Sequence, residues 1–383
     1  MGRTITIQEL EEHYYGASGV GMITKSDDPV LSSTTGVYNV VFGKFVWATF
    51  NQEANTIGIL PKTVWDNSGW RLQTARAGSS ADGGVAEGGA VPETIKPTFL
   101  EVTNTLKTVA HTFETSEHQD YFVAHDDDAI GDLQHMRMIM GTKHKEAMNQ
   151  ALLRDVGDQV GSGGAYAGID GFETIDRVIS SDSEEDAFGG GGSAYYDIFG
   201  LDRDTATTFD STVSHNSGSD RALSDSLIRT MIYDIKEDGG NTQAINTGYD
   251  TARTAIALYS DQVRYNVIGE AKVQVGVNGI QTEAGIDVGI RISTIYQIPM
   301  IESKDVPKDT ISRMFFIDTS DPEGSGKARL SLDISHPTQY FQAGVSDGSP
   351  FITDTFTTKG LYRTNGEIRC TSLQSQGKIR DLS

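Results

Sequence analysis

The sequence of 383 residues contains a single cysteine, Cys370. One cysteine excludes an intrachain disulfide and any zinc site built on paired cysteines. Cys370 lies in a stretch of residues typical of a β-strand. We therefore expect it to be a small buried apolar side chain.

Positive charge is also scarce, because 31 basic residues face 53 acidic ones and the formal net charge is −22. Such a surface repels phosphate and anionic lipid, which argues against a dedicated nucleic-acid reader. The acidic excess fits ordinary solubility or adaptation to high salt, where a hydrated carboxylate surface stays soluble. We favour the adaptation to high salt.

Long apolar runs are missing as well. The most apolar stretch, residues 37–50, is too short to span a bilayer and contains Lys44. Residues 8–12 are polar where a signal peptide needs an apolar segment. The sequence therefore predicts no membrane segment and synthesis in the cytoplasm.

Catalytic motifs fail in their context. Residues 344–348 match G-x-S-x-G, but a Ser-Pro pair and a β-type run follow, and the last histidine, His336, lies upstream. Five histidines lack the H-E-x-x-H spacing, and we expect them on an exposed strand and helix face: His111, His118, His125, His135 and His144. We predict no catalytic, cofactor-binding or metal-ligating residues. Weak cation binding by the acidic cluster at 182–186 stays open, as does a hydrolase or metal-dependent enzyme.

An extended arm is the main positive feature. A strand-like run at 70–74 leads into a tract of small polar residues, and the chain returns as an alternating strand at 98–117. Ordering a tip of about twenty residues costs on the order of 20–40 kcal/mol of backbone entropy. The tip has almost no large apolar side chain to offset this. We therefore predict an arm that becomes ordered only in contact with an adjacent subunit. The alternative is a flexible surface loop.

The remaining pattern mixes helices and strands. The strand at 98–117 switches its apolar phase, which predicts a bulge or bend. A helix is predicted over 126–156, with Asp126 at its capped start and Gly157 at its end. A second helix is predicted at 221–238. Other predictions are a solvated acidic insertion around 182–225, a short apolar run at 255–259 followed by a short helix, strands at 286–301, 314–317 and 330–334, and a hairpin at 360–370 turning at 365–366.

This order of elements resembles the major capsid proteins of tailed double-stranded DNA viruses, which share the Hong Kong 97-type fold. The most family-like passages are residues 91–103, 113–117, 227–240, 296–303, 366–370 and 378–382. The resemblance implies an α+β fold with an N-terminal arm, an extended E-loop hairpin, a long spine helix, and peripheral and axial domains. The corresponding ranges are 1–64 (arm), 65–118 (E-loop), 119–221 (peripheral domain with spine helix and acidic insertion), 222–320 (axial domain) and 321–383 (closing strands returning to the peripheral domain).

The resemblance also implies a function. We expect a structural, non-enzymatic protein that assembles into pentamers and hexamers of an icosahedral shell, without a cofactor. The shell would enclose double-stranded DNA without sequence-specific binding. Further partners would be portal and decoration proteins, together with a separate scaffold or none. The acidic excess then indicates a virus of a halophilic archaeon. An encapsulin-like cellular compartment is the alternative shell.

The arm supplies the expected contacts between subunits: Trp70, Arg71, Arg76, Glu87, Glu93, Lys96 and Glu114. Some family members join neighbours by a lysine–asparagine isopeptide bond from the E-loop. Residues 77–95 contain no lysine. We therefore expect no such cross-link here.

Overall fold

The computed structural model describes residues 53–75, 84–91, 96–118, 121, 133–157, 171–189, 196–205, 210–259, 293–322, 324–344 and 356–383. The predicted N-terminal arm up to residue 52, the predicted helix start at 126 and the short helix expected after residue 259 lie outside these ranges.

The described helices are α1 (Thr56–Ile59), α2 (Leu133–Leu152), α3 (Ile175–Val178), α4 (Asp182–Glu184, continued by a π-helical turn Glu185–Gly189), α5 (Asp225–Glu237) and α6 (Tyr249–Tyr259). The described strands are β1 (Lys62–Val64), β2 (Gly69–Ala75), β3 (Thr98–Thr103), β4 (Lys107–Ser116), β5 (Thr212–Ser214), β6 (Ala244–Thr247), β7 (Ser293–Ile295), β8 (Ile298–Glu302), β9 (Met314–Ile317), β10 (Leu330–Gly344), β11 (Thr357–Cys370) and β12 (Gly377–Ile379).

The chain forms two compact units. Unit 1 comprises Met1–Gln52, Thr108–Ala147 and His336–Asn365, and unit 2 comprises Glu53–Lys107, Met148–Ser335 and Gly366–Ser383. The sheets have the strand orders β1-β10-β11-β4, β5-β12-β9-β6-β8-β7 and β2-β3. The fold is thus mixed α and β, as predicted.

Unit 2 is built on the six-stranded sheet. Strand β9 pairs antiparallel with β6 on one side and β12 on the other. Strand β8 pairs in parallel with β6, and β5 pairs in parallel with β12. All four residues of β9 are buried, as its continuous apolar run predicts. The core lies between this sheet and helices α5 and α6, and includes Ile228, Met231, Ile235, Ile245, Ala252, Met300, Phe316 and Ile379.

Helix α5 begins four residues later than predicted. Ser224 accepts a hydrogen bond from the Leu227 amide and so caps the helix, while Asp225 lies in the first turn. Its buried residues Ile228, Met231, Ile232 and Ile235 follow helical spacing. The predicted apolar run at 255–259 is the second half of α6 rather than a separate element.

In unit 1, the part of α2 up to Ala147 packs against residues of β4, β10 and β11. Phe113 stacks on Tyr340 at 6.2 Å between ring centroids, and the Arg137 guanidinium lies 4.1 Å from the centre of the Tyr340 ring. Tyr362 donates a hydrogen bond to the Arg137 carbonyl. A Cβ atom on Gly141 would lie 3.4 Å from the Tyr362 hydroxyl, so this helix glycine makes room for the tyrosine.

Helix α2 ends at Leu152, four residues earlier than predicted. Leu153 and Val156 are buried but not helical. The side chain of Asp176 accepts a hydrogen bond from the Val156 amide, and Thr174 donates to the Arg154 carbonyl. These tertiary bonds satisfy backbone groups that a longer helix would use.

The predicted strand at 98–117 is two strands separated by residues 104–106. The side chain of Asn104 accepts from the Thr105 amide, and its backbone N–H donates to the Ser68 carbonyl. Val102 before the break and Val109 after it are both buried. The predicted change of apolar phase is therefore confirmed, as a break rather than a bulge.

The prediction of a hairpin that turns at 365–366 is wrong, because β11 runs without interruption from Thr357 to Cys370. A Cβ atom on Gly366 would lie 2.6 Å from the Asp333 carbonyl oxygen. The glycine thus serves a close approach between strands, not a turn.

The predicted solvated insertion around 182–225 is wrong for several of its described residues. Glu184 and Glu185 are buried, and so are Tyr196 and Ile198. Ser181 caps α4 by accepting a hydrogen bond from the Glu184 amide. The prediction failed because the cations that balance these acids lie far away in the sequence.

Candidate assembly surface and buried ionic centre

The β2–β3 ribbon carries two of the predicted contact residues, Trp70 and Arg71. Its strands pair antiparallel from Gly69 opposite Thr103 to Ala75 opposite Thr98, with an irregularity after Gln73. Among the described residues, no third strand pairs with the ribbon. A two-stranded ribbon is marginal in water, so its outer part needs further contacts.

The end of the ribbon at Gly69 and Thr103, called its foot below, is anchored within unit 2. The Trp70 ring meets Phe199 edge-on at 5.2 Å, and the Arg369 guanidinium lies 5.0 Å from the centre of the Trp70 ring. The Thr103 amide donates to the Phe199 carbonyl, and the Asn104 side chain donates to the Ile368 carbonyl. One end of the ribbon is thus fixed on its own subunit.

The outer residues of the ribbon are exposed. Arg71 and Glu101 form a cross-strand ion pair at 3.0 Å, with both side chains 73% exposed. Phe99 in β3 is 58% exposed, and Val91, which lies between the two strands in the sequence, is 92% exposed. Exposed apolar side chains beside a surface ion pair are the composition of a contact surface rather than of a core.

The seven predicted contact residues fall into different environments. Arg71, Glu87 and Lys96 are exposed. Trp70 is half-buried at the foot of the ribbon, and Glu114 is half-buried in unit 1, where Thr357 donates a hydrogen bond to it. Arg76 and Glu93 lie outside the described residues. That these residues contact neighbouring subunits remains a prediction.

A buried ionic centre in unit 2 was not predicted. Asp176 binds Arg313 at 2.8 Å through one carboxylate oxygen and Lys378 at 3.0 Å through the other. Lys378 and Arg380 both bind Glu184 at 2.7 Å. The centre therefore connects helices α3 and α4 with β12 and with the residue before β9.

Burial alone would raise the pKa of Asp176. The positive charges of Arg313, Lys378 and Arg380 outweigh burial and hold this pKa well below its ordinary value. Asp176, Glu184 and Lys378 are 0% exposed. Ionised side chains that are mutually paired and closed to solvent cannot reach a substrate, so this centre holds the fold together rather than carrying out catalysis.

Two of the histidines expected on exposed faces are instead packed together in unit 1. The Nδ1 atoms of His111 and His144 lie 2.8 Å apart, and Nε2 of His144 lies 2.8 Å from the Thr364 hydroxyl. Burial and, to a smaller extent, the charge of His111 lower the pKa of His144 to about 4. The pair is therefore neutral near pH 7 and acts as a hydrogen-bonded part of the packing.

One open cleft of about 480 Å³ lies in unit 2 at the foot of the ribbon. Its lining includes residues 103–105, Lys107, Glu173, Arg177, residues 197–202 and Glu367. Among the described residues, no group of three or more His, Cys, Asp or Glu side chains is placed to hold a metal ion. Within the same residues, no helix combines the length and apolarity needed to cross a membrane.

Comparison with solved structures places the fold among phage capsid proteins. The cyanophage A-1(L) capsid asymmetric unit aligns with a TM-score of 0.56 and 14% identity, covering 88% of this chain and 95% of that one. The capsid of a native GTA particle aligns with a TM-score of 0.51 and 9% identity, covering 96% and 97%. A chain of the structure described as Microbacterium phage Oxtober96 aligns with a TM-score of 0.50 and 10% identity, covering 88% and 94%. At these identities the likeness establishes the fold alone.

No curated protein matches the chain. The sequence profile described as SU10 major capsid protein matches residues 20–321, which is most of the chain. This family describes a structural subunit of a tailed-phage capsid. The chain belongs to the SU10 major capsid protein family.

Proposed function

We propose that copies of this chain assemble into the pentamers and hexamers of an icosahedral shell that encloses double-stranded DNA. In this proposal the β2–β3 ribbon and its tip form an E-loop that lies across a neighbouring subunit. The exposure of Phe99 and Val91 beyond an anchored foot is the observation that supports it. Stable interfaces bury roughly 1,200–2,000 Å², which an arm of this length can supply.

The division into arm, E-loop, peripheral domain, axial domain and closing strands is part of the proposal. Helix α2 would be the spine helix, and the sheet strands and helices within residues 222–320 would form the axial domain. DNA would be enclosed without sequence-specific contacts, since the net charge of −22 opposes phosphate binding.

Further partners follow from this role. We propose a separate scaffold, a portal and decoration proteins, with assembly in the host cytoplasm before the protein becomes part of the virion. The halophilic archaeal host rests on the acidic composition alone and stays a prediction. Purified particles that carry an enzyme cargo instead of a genome would favour the encapsulin-like alternative.

Deletion of residues 78–90 tests the proposed arm. We expect the deleted chain to fold, since the described contacts that anchor the ribbon come from Trp70, Thr103 and Asn104 outside the deletion. We expect it to form no shells, because the neighbour loses the arm that covers it. Circular dichroism reports folding, and electron microscopy in molar salt reports shells.

The control is Glu237→Gln, which changes one exposed residue at the end of α5 and leaves the arm intact. Shells from this control and none from the deletion would support the proposal. Intact shells from the deleted chain would contradict it.

A further inference from the structure

The cleft at the foot of the ribbon contains a buried carboxyl group, that of Glu367, in which only one of the two oxygens accepts hydrogen bonds from described residues. Glu367 is 1% exposed. Its Oε1 atom accepts the amide N–H groups of Glu173 and Ile368, both at 2.8 Å. No described residue donates to Oε2. Because Glu367 lines the cleft, Oε2 is the oxygen left for an occupant.

The other charged side chains that line the cleft come from three parts of unit 2. Lys107 lies at the start of β4, Glu173 and Arg177 lie at α3, and Asp197 and Asp202 lie on the segment after residue 196. Arg177 and Glu173 form an ion pair at 2.9 Å. The remaining charged residues of the lining are one cation, Lys107, and three acids, Asp197, Asp202 and Glu367, so the cleft has an excess of acidic groups.

We propose that this cleft receives a lysine or arginine side chain from a second copy of the chain, whose cationic head binds Oε2 of Glu367. The inference rests on the proposed shell function, because it needs adjoining copies. It adds a specific binding site for a positive charge between subunits that each carry a formal charge of −22.

The dimensions and ligands of the cleft favour a side chain over a free ion. A volume of about 480 Å³ accommodates the aliphatic stem of a long side chain as well as its head. A bare metal ion needs several converging ligands, and the described residues offer no such group. Exposed cations such as Arg71 show that the surface of a copy can supply the head group.

Occupation of the cleft couples association to pH. Burial raises the pKa of Glu367 to about 8, against the lowering effect of the two amide bonds and of Lys107. When the cleft is empty, Glu367 is therefore protonated below pH 8. A cation that binds in the cleft displaces this proton. Association strengthens as pH rises towards 8 and levels off above it, by up to about tenfold per contact for each pH unit.

The test compares the full chain with Glu367→Gln and with Glu237→Gln. Glutamine keeps an oxygen for the two amide bonds but presents an N–H group to the cleft. Glu237 is exposed at the end of α5, so its variant removes one charge elsewhere. Association is measured by sedimentation velocity at pH 6 and pH 8 in molar sodium chloride, and proton release by titration in weakly buffered solution.

We expect the unchanged chain and Glu237→Gln to associate more strongly at pH 8 and to release up to one proton per contact. We expect Glu367→Gln to lose both effects while remaining folded. The same pH dependence in Glu367→Gln overturns the inference. Failure of the unchanged chain to form shells at any pH contradicts the proposed function instead.

A second measurement does not depend on any variant. Cryo-electron microscopy of assembled shells shows what occupies the cleft. A basic side chain of a neighbouring copy at hydrogen-bond distance from Glu367 supports the inference. An empty cleft, a residue of the same chain, or a small free cation such as a polyamine in that place overturns it.

Discussion

Asp176 connects residues that lie far apart in the sequence. It binds Lys378, which is 202 positions away, and Arg313, which is 137 positions away. Breaking a buried ion pair is costly because the remaining partner stays buried without its counter-charge. The arrangement makes β12 and the start of β9 depend on one carboxylate from α3.

The change Asp176→Asn tests this dependence. Asparagine keeps the size of the side chain but removes the charge that balances Arg313 and Lys378. We expect the free energy of unfolding to fall by about 3–5 kcal/mol. Urea denaturation of the unassembled chain measures it, with Glu101→Gln as a control that removes an exposed pair and changes stability by at most about 1 kcal/mol. A loss below about 1 kcal/mol for Asp176→Asn would show that the centre is not structural.

Residue environments were predictable only where the local sequence determines them. Cys370 was correctly expected to be buried, because the residues around it are typical of a strand, and burial raises the pKa of its thiol to about 12. Glu184 was expected in solvent because its neighbours are acidic. Its partners Lys378 and Arg380 lie almost two hundred residues later, and no local pattern shows that pairing.

At the scale of elements, strands with a continuous apolar run were the most predictable. Strand β9 has the bounds that its sequence predicts, whereas α2 ends early and β11 passes straight through an Asn-Gly pair. Tertiary contacts decide both of the latter cases: Asp176 takes the Val156 amide, and the backbone of Asp333 fills the space beside Gly366.

The β2–β3 ribbon gives a prediction at this scale. Trp70→Ala removes an aromatic contact with Phe199 that is worth about 0.5–1.5 kcal/mol beyond its buried area. We expect amide hydrogens in β2 and β3 to exchange up to about tenfold faster. Amides in β6 and β9 should keep their rates.

The matched control for this measurement is Phe99→Ala in the same ribbon. Phe99 is largely exposed, so its removal should leave exchange in the foot unchanged in the unassembled chain. If both variants exchange alike, the Trp70 contact does not anchor the ribbon.

At the scale of the whole molecule, net charge sets the conditions for association. Each copy carries a formal charge of −22, so copies repel one another at low ionic strength. The Debye length falls from about 10 Å at 0.1 M salt to about 3 Å at 1 M, which confines this repulsion to direct contacts. Salt therefore favours assembly without any specific ion site.

We expect shells to be stable in 1 M sodium chloride and to loosen at 0.1 M. Light scattering during dialysis between the two conditions measures the change, and re-addition of salt tests its reversal. Sucrose of equal osmolality serves as the control, because it does not screen charge. Shells that keep the same size at both salt levels would contradict an electrostatic barrier.

Strand β12 lies inside the six-stranded sheet, between β5 and β9, although all other strands of that sheet precede it in the sequence. During synthesis the sheet must remain open until residues 377–379 leave the ribosome. Chains cut short before that point lack both the strand and the cations of Lys378 and Arg380. We therefore expect chains that stop before residue 377 to lack a central strand of the sheet and not to form the native core.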